Sequence, residues 1–212
     1  MFETQRKILV DLLKKQGRIR TKKVENAFLE TKRELFVPEH MKKHAYVDTP
    51  LEIGQGQTIS APHMVAIMCE ELDIKPGQKI LEIGAGSGYH AAIISRLIGE
   101  KGYLYTVERI PFLAEKAQKN LKKADVKNVT VIQADGSLGY PDHSPYDRIY
   151  VTCASPKIPE PLTKQLKDKG KMLIPVGRMI STLTLVEKTG DSFTSIDLGG
   201  CSFVPLIGEE GF

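Results

Sequence analysis

The stretch Gln78-Lys79-Ile80-Leu81-Glu82-Ile83-Gly84-Ala85-Gly86-Ser87-Gly88-Tyr89 sets the architecture of this 212-residue chain. Gln78–Ile83 is an apolar run of strand length, the glycines at 84, 86 and 88 make a tight turn, and helical spacing resumes from Tyr89 to about Ile98. The same order then recurs downstream. Tyr103–Val107 reads as a second strand, Pro111 to about Ala124 as a helix with proline at its start, and Asn128–Gln133 as a third strand. Arg148–Thr152 reads as a fourth strand, Pro159–Lys167 as a helix, and Lys171–Pro175 as a fifth strand. Thr182–Glu187 and Phe193–Pro205 supply further strands at one edge. Strands alternating with helices of this length imply βαβ units and an α/β fold with a doubly wound, mostly parallel sheet.

Upstream of this core the texture differs. Ile8, Leu9, Leu12 and Leu13 form one helical stripe, and Val24, Ala27 and Phe28 a second, with Gly17 as a stop between them. Residues 33–60 carry Pro38, Pro50, Gly54 and Gly56 without periodicity and read as a long irregular segment, which inside a compact domain is usually functional. Helical spacing returns from Ala61 to Leu72. The expected organisation is one catalytic domain over 1–212: residues 1–74 form helices and a covering segment, 75–190 the ligand-binding core, and 191–212 a closing strand.

Composition narrows the setting. Hydrophobic residues at 41% and charged residues at 26% are ordinary for a globular chain, and no run is long enough for a membrane span. The amino terminus interrupts its apolar positions with charge, unlike a secretory leader. Cys69, Cys153 and Cys201 lie far apart with no CxxC spacing, so neither a disulfide framework nor a metal site is expected, and a cytoplasmic location is. A net charge of +4, spread along the chain, does not call for nucleic acid. The series Lys116, Lys119, Lys122 and Lys123 reads as a solvated helix face.

In a doubly wound sheet, ligands lie beyond the carboxyl ends of the strands. The turn after strand one has GxGxG spacing, with Tyr89 where the dinucleotide fingerprint requires its last glycine, which argues against a nicotinamide enzyme. Glu108 follows strand two, twenty residues beyond Gly88, where a carboxylate can accept from both hydroxyls of a ribose. Asp135-Gly136 follows strand three; Asp135 could accept from the exocyclic amine of an adenine, or simply form an Asp-Gly turn. Together these strand ends point to an adenosyl ligand without a Walker-type phosphate loop.

The residues resemble those of class I S-adenosylmethionine-dependent methyltransferases, which have a Rossmann-like sheet, here with N-terminal helices. Tyr46-Val47-Asp48-Thr49-Pro50-Leu51 and Ile53-Gly54-Gln55-Gly56-Gln57-Thr58-Ile59-Ser60-Ala61-Pro62-His63-Met64 resemble the segment before the core of protein-L-isoaspartate O-methyltransferases. So do Pro145–Ile149, Val151-Thr152, Pro175-Val176-Gly177 and Phe203-Val204-Pro205-Leu206, so that the likeness spans about Glu3 to Leu206. The resemblance implies a repair enzyme that uses S-adenosyl-L-methionine to methylate the free α-carboxylate of isoaspartyl residues in peptides and proteins, giving an ester that cyclises to succinimide. It implies cofactor contacts at Gln57, Thr58, Ile59, His63, Glu82, Gly84, Ala85, Gly86, Gly88, Glu108, Arg109, Asp135 and Gly136. It also implies substrate contacts at Gly54, Ser60, Val204, Leu206 and Ile207, with Ser60 the active-site serine. A monomer is expected, with no nucleic-acid or membrane partner.

The chemistry of the residues agrees with that reading. Methyl transfer to an amine, a hydroxyl or carbon generally needs a deprotonating group or lone-pair orienter close by. Adenine-type amino methyltransferases commonly carry an acidic or Asn residue followed by Pro-Pro-aromatic after strand four, and Thr152-Cys153-Ala154-Ser155-Pro156 holds no such box. A carboxylate with a pKa of about 3.5 is already a nucleophile at neutral pH and needs no general base. Ser60 could position it, or cap the helix that follows. His63 could contact a ligand or simply pack at that helix start, Asp147 stands at the far end of the sheet and reads as structural, and Cys153 reads as a small buried hydrophobe. The alternatives are a methyltransferase acting on RNA and a cofactor-binding module without turnover.

Overall fold

The computed structural model describes residues 1–178 and 180–212. In chain order the elements are helices α1 (Phe2–Lys15) and α2 (Lys22–Glu30), strands β1 (Leu51–Gly54) and β2 (Gln57–Ile59), helix α3 (Pro62–Glu71), then β3 (Lys79–Ile83) and α4 (Tyr89–Ile98). β4 (Tyr103–Glu108), α5 (Pro111–Lys123), β5 (Val129–Gln133), β6 (Tyr146–Val151), α6 (Glu160–Lys164), β7 (Leu166–Gly177), β8 (Ser181–Thr189) and β9 (Ser192–Cys201) follow. The main sheet runs β5-β4-β3-β6-β7-β8-β9. Pairs among β5, β4, β3, β6 and β7 are parallel, while β8 and β9 add antiparallel strands at one edge. The chain moves outward from β3 through β4 to β5, then returns to the other side of β3 with β6. That reversal opens a crevice between the carboxyl ends of β3 and β6.

The central strands are apolar because both sheet faces are covered. Ile80, Leu81, Leu104, Ile149 and Leu173 are wholly buried, and α4 is buried along nearly its whole length. At the opposite end of the sheet Asp147 accepts from the amide of Lys79 at 2.7 Å and pairs with Lys167 at 2.8 Å, a role confined to holding strands together.

Four elements differ from the sequence expectation. In α1 the buried face is Arg6, Leu9, Val10 and Leu13, while Ile8 and Leu12 face solvent. The helix is rotated so that Arg6 reaches the Tyr46 hydroxyl, a tertiary contact that helical spacing cannot reveal. The segment 33–60 is not wholly irregular, because Leu51–Gly54 and Gln57–Ile59 form an antiparallel hairpin. Its turn residues Gln55 and Gly56 both have positive φ, as a tight two-residue hairpin turn demands. Helix α6 is a short Glu160–Lys164, and β7 begins already at Leu166, pairing with Tyr146 across a register shift. Finally, β9 ends at Cys201, and residues 203–207 turn back so that Leu206 donates to the Ala154 carbonyl at 2.7 Å while Ala154 donates to Val204 at 2.8 Å.

Two contacts fix the N-terminal elements over the crevice. Glu70 of α3 accepts from the amides of Arg20 and Thr21 at 2.8 and 2.9 Å, docking the α1–α2 corner. Lys116 of α5 donates to the carbonyl of Ile53 at 2.8 Å, pinning the β1–β2 hairpin. Lys116 is therefore not part of a freely solvated face, and partial burial lowers its pKa. No described helix is long and apolar enough to cross a membrane.

Candidate active site

At the end of β3 the chain turns through Gly84, whose φ is +94°. A Cβ there would lie 2.4 Å from the Thr152 hydroxyl oxygen, so the position excludes any side chain. Thr152, just past β6, holds the turn with its hydroxyl 2.7 Å from the Gly84 carbonyl and 3.0 Å from that of Ile83. The Glu108 carboxylate at the end of β4 is 7% exposed, and it accepts from the Gly86 amide on one oxygen and the Ile110 amide on the other, each at 2.9 Å.

Around these strand ends lies a cleft with about 910 Å³ of open space, part of it continuous with solvent. Glu82, Gly84, Ala85, Gly86, Glu108, Arg109 and Gly136 line it from the sheet side. Gln57, Thr58, Ile59 and Ser60 line it from the hairpin, and Val204, Leu206 and Ile207 from the returning C-terminal segment. Ile59, Val107 and Leu113 give it apolar walls suited to a base or ribose face.

Four expected residues lie elsewhere. Gly88 is the N-cap of α4, packed against Ala117 and Leu121 of α5. Gly54 sits at the hairpin turn facing Phe112. His63 is held by Asp48, which accepts from its amide at 2.8 Å and lies 2.9 Å from Nδ1. Asp48 thereby satisfies the open N-terminus of α3, whose N-cap residue, Ala61, has no side chain to do so. Ser60 is consequently not the helix cap. Asp135 adjoins the cleft, but Ser137 donates its amide and hydroxyl to one oxygen and the Glu209 amide donates to the other. Burial would raise that carboxyl, but the bonds from Glu209 and Ser137, with Arg109 nearby, hold it below the usual carboxylate range.

The structure adds residues that spacing left without a role. Thr152 follows a strand end and was open to the same rule that found Glu108. Tyr89 and His90 of α4 line the cleft floor through helix packing, for which the sequence has no signal, and Cys153, next to Thr152 at the site end of β6, lines it too. His90 packs at a tilt against Tyr150 with ring centroids 4.5 Å apart, and burial drops its pKa to about 3, so its imidazole is neutral. Burial pushes the Cys153 and Cys69 thiols up, away from the thiolate. Glu82 is wholly buried, accepts from the Thr106 hydroxyl, and leaves Oε1 without a hydrogen-bond partner. Burial raises its pKa to about 8, against the lowering effect of Thr106 and the neighbouring Tyr150.

The model of the protein-L-isoaspartate(D-aspartate) O-methyltransferase family matches residues 4–211. The chain belongs to that family. A protein-L-isoaspartate O-methyltransferase of Methanopyrus kandleri is 55% identical over 215 residues, covering 100% of this chain and 95% of the relative. A solved structure described as a protein-L-isoaspartate O-methyltransferase superposes with a TM-score of 0.90 at 32% identity, covering 97% of this chain and 67% of that one. Another, from Plasmodium falciparum and described as a protein of the same activity in complex with S-adenosyl-L-homocysteine, gives 0.85 at 27% identity over 95% of this chain and 97% of that one. Like the family, the chain is an S-adenosyl-L-methionine-dependent methyltransferase, and the glycine turn, the buried Glu108 and the apolar walls fit that cofactor.

Two outcomes follow from the geometry. Glu108→Gln keeps the side-chain shape but removes a charged acceptor; affinity for S-adenosyl-L-homocysteine, measured calorimetrically, should fall about tenfold or more, in line with the roughly 1.5–3 kcal/mol of a charged hydrogen bond. Glu82 binds a proton in the folded state over a pH range where the unfolded chain has released it, so it makes stability fall as pH rises from about 4.5 towards about 8. Glu82→Gln removes that term. The melting temperature of the variant relative to wild type should therefore climb between pH 5 and pH 8, and a constant difference would contradict the assignment.

Proposed function

We propose that the chain acts as one catalytic unit, 1–212, that methylates the free α-carboxylate of L-isoaspartyl residues in damaged peptides and proteins. One observation supports this substrate above other methyl acceptors: the cleft holds no competent general base among the described residues. His90 is neutral and buried with its pKa near 3, and Cys153 is held as a thiol. Glu82, with its pKa raised to about 8, already carries a proton at neutral pH, and both oxygens of Glu108 accept from backbone amides. A protonated amine or a hydroxyl would need a base to take its proton; a carboxylate is ionised at neutral pH. The family membership and the absent base-methylation box both disfavour an RNA substrate.

When bound, S-adenosyl-L-methionine supplies a methyl group activated on a sulfonium. Glu108 would hold the ribose, Gly84–Gly86 would let the backbone approach it closely, and Ile59, Val107 and Leu113 would cover it. Asp135 and Gly136 would flank the adenine, with Gln57, Thr58, Ile59 and Arg109 at the rim. The residues of the chain then have a positioning task, to align one oxygen and strip its water. Ser60, whose hydroxyl makes no bond inside the described protein, would donate to the substrate carboxylate. The hairpin and Val204–Ile207 would grip the peptide backbone on either side, as exposed strand edges do for extended peptides. A monomer acting on proteins alone, without nucleic acid, completes this reading.

An aspartyl carboxylate has the same charge and similar basicity, so selectivity must come from geometry. Methyl transfer to an isoaspartyl peptide should therefore proceed while its aspartyl twin stays almost inert, read by radiolabelled methyl incorporation. Comparable labelling of both peptides would replace this function with a less selective carboxyl methyltransferase. On the same peptide, Ser60→Ala should lower kcat tenfold to a thousandfold, the usual order for losing a hydrogen bond to the reacting group, with little change in melting temperature.

A further inference from the structure

Arg33 opens a 3-10 turn (Arg33–Leu35) and its side chain is wholly buried. Nη2 donates to the carbonyl of Ser60 at 2.9 Å. The guanidinium stacks over the Tyr89 ring, 4.6 Å from its centroid, and Tyr89 in turn packs edge-on against Phe28 and Phe36. Nε and Nη1 have no hydrogen-bond partner. No carboxylate lies within ion-pair distance among the described residues; Asp48, the acid whose charge reaches Arg33, is occupied with His63. A guanidinium keeps its charge even when burial lowers its pKa, so the fold holds a permanent cation with a carbonyl and a ring face as its main company. For stability alone an apolar side chain of similar volume would serve as well or better.

The charge makes sense from the cleft side. Glu82 and Glu108 both line the cleft, and the cation lining it, Arg109, is exposed at the rim. An anionic substrate entering there meets the Glu108 carboxylate on the sheet side, with Glu82 neutral and no cation buried in the wall itself. Arg33 stands directly behind the wall at Ser60 and Tyr89. Resting on the isoaspartyl reading above, we propose that Arg33 is a positioning residue for the substrate carboxylate. It fixes the Ser60 backbone by its bond to that carbonyl, and its uncompensated charge offsets the Glu108 carboxylate for the incoming anion. Burial behind an aromatic ring keeps the cation out of reach of bulk counter-ions, so its field is screened little by salt.

The test compares wild type, Arg33→Met and Arg33→Lys. Each is assayed for S-adenosyl-L-homocysteine affinity by calorimetry, for melting temperature, and for kcat and KM on an isoaspartyl peptide. Arg33→Met should melt at or above wild type and bind S-adenosyl-L-homocysteine within twofold, yet raise the peptide KM tenfold or more. Arg33→Lys, which keeps the charge but loses the planar fork, should raise KM threefold or more and less than Arg33→Met. Wild-type kinetics in either variant would overturn the proposal. So would parallel losses of melting temperature, cofactor affinity and peptide KM, which mark a packing role. If Arg33→Met does not fold, Arg33→Lys decides alone. Wild type that binds S-adenosyl-L-homocysteine but methylates no isoaspartyl peptide would refute the substrate reading instead, and is distinguished by coming before any variant is compared.

Discussion

The Glu108 carboxylate accepts from the Gly86 amide on one oxygen and the Ile110 amide on the other, and those two bonds tie the end of β4 to the glycine turn after β3. The rest of the site is arranged around that tie. The turn can come this close only because Gly84 has no Cβ to strike Thr152, and Thr152 is there only because β6 pairs directly with β3. The strand order and three short side-chain contacts thus define the cleft floor together. Satisfying the backbone donors of a tight turn with a carboxylate also preorganises that carboxylate, so little rearrangement is left for a ligand to drive.

The cleft has an uneven electrostatic design. Its buried Glu108 carboxylate is on the sheet, whereas the permanent cation, Arg33, is on the N-terminal cover. A sulfonium cofactor carries positive charge and a carboxylate substrate negative charge. The two halves of the protein therefore present potentials of opposite sign, each towards the partner it can stabilise. Such an arrangement orients two ligands before any contact forms between them.

How much of this could be read from the residues depends on the range of the interaction. The βαβ order, the GxGxG turn and Glu108 were legible, because each is a local pattern governed by strand and turn chemistry. The β1–β2 hairpin was legible in principle, since Gln55-Gly56 sits between alternating apolar residues, but strands of four and three residues give little periodicity. The rotation of α1, the occupation of His63 by Asp48 and the attachment of Asp135 to Glu209 were not legible. They join residues distant in sequence, and each diverts a polar group that seemed available for a ligand. Arg33 is the extreme case: an arginine in a polar stretch reads as surface, and only the closure of α2, α4 and the Ser60 segment around it makes it core.

The antiparallel end of the sheet has a consequence for self-association. β9 is an edge strand with most of its residues exposed, including Phe193 and Ile196, and such strands invite a further strand from another molecule. Here the ladder with β8 slips between Thr182 and Thr184, which bends the strand. Gly199, at a φ of +111°, and Gly200 then remove the side chains against which an added strand would pack. Asp197 places a charge in the middle of the same edge. An incoming chain could pair for only a few residues before losing register and meeting that charge. The long antiparallel extension that completes the sheet therefore carries its own protection against stacking into aggregates.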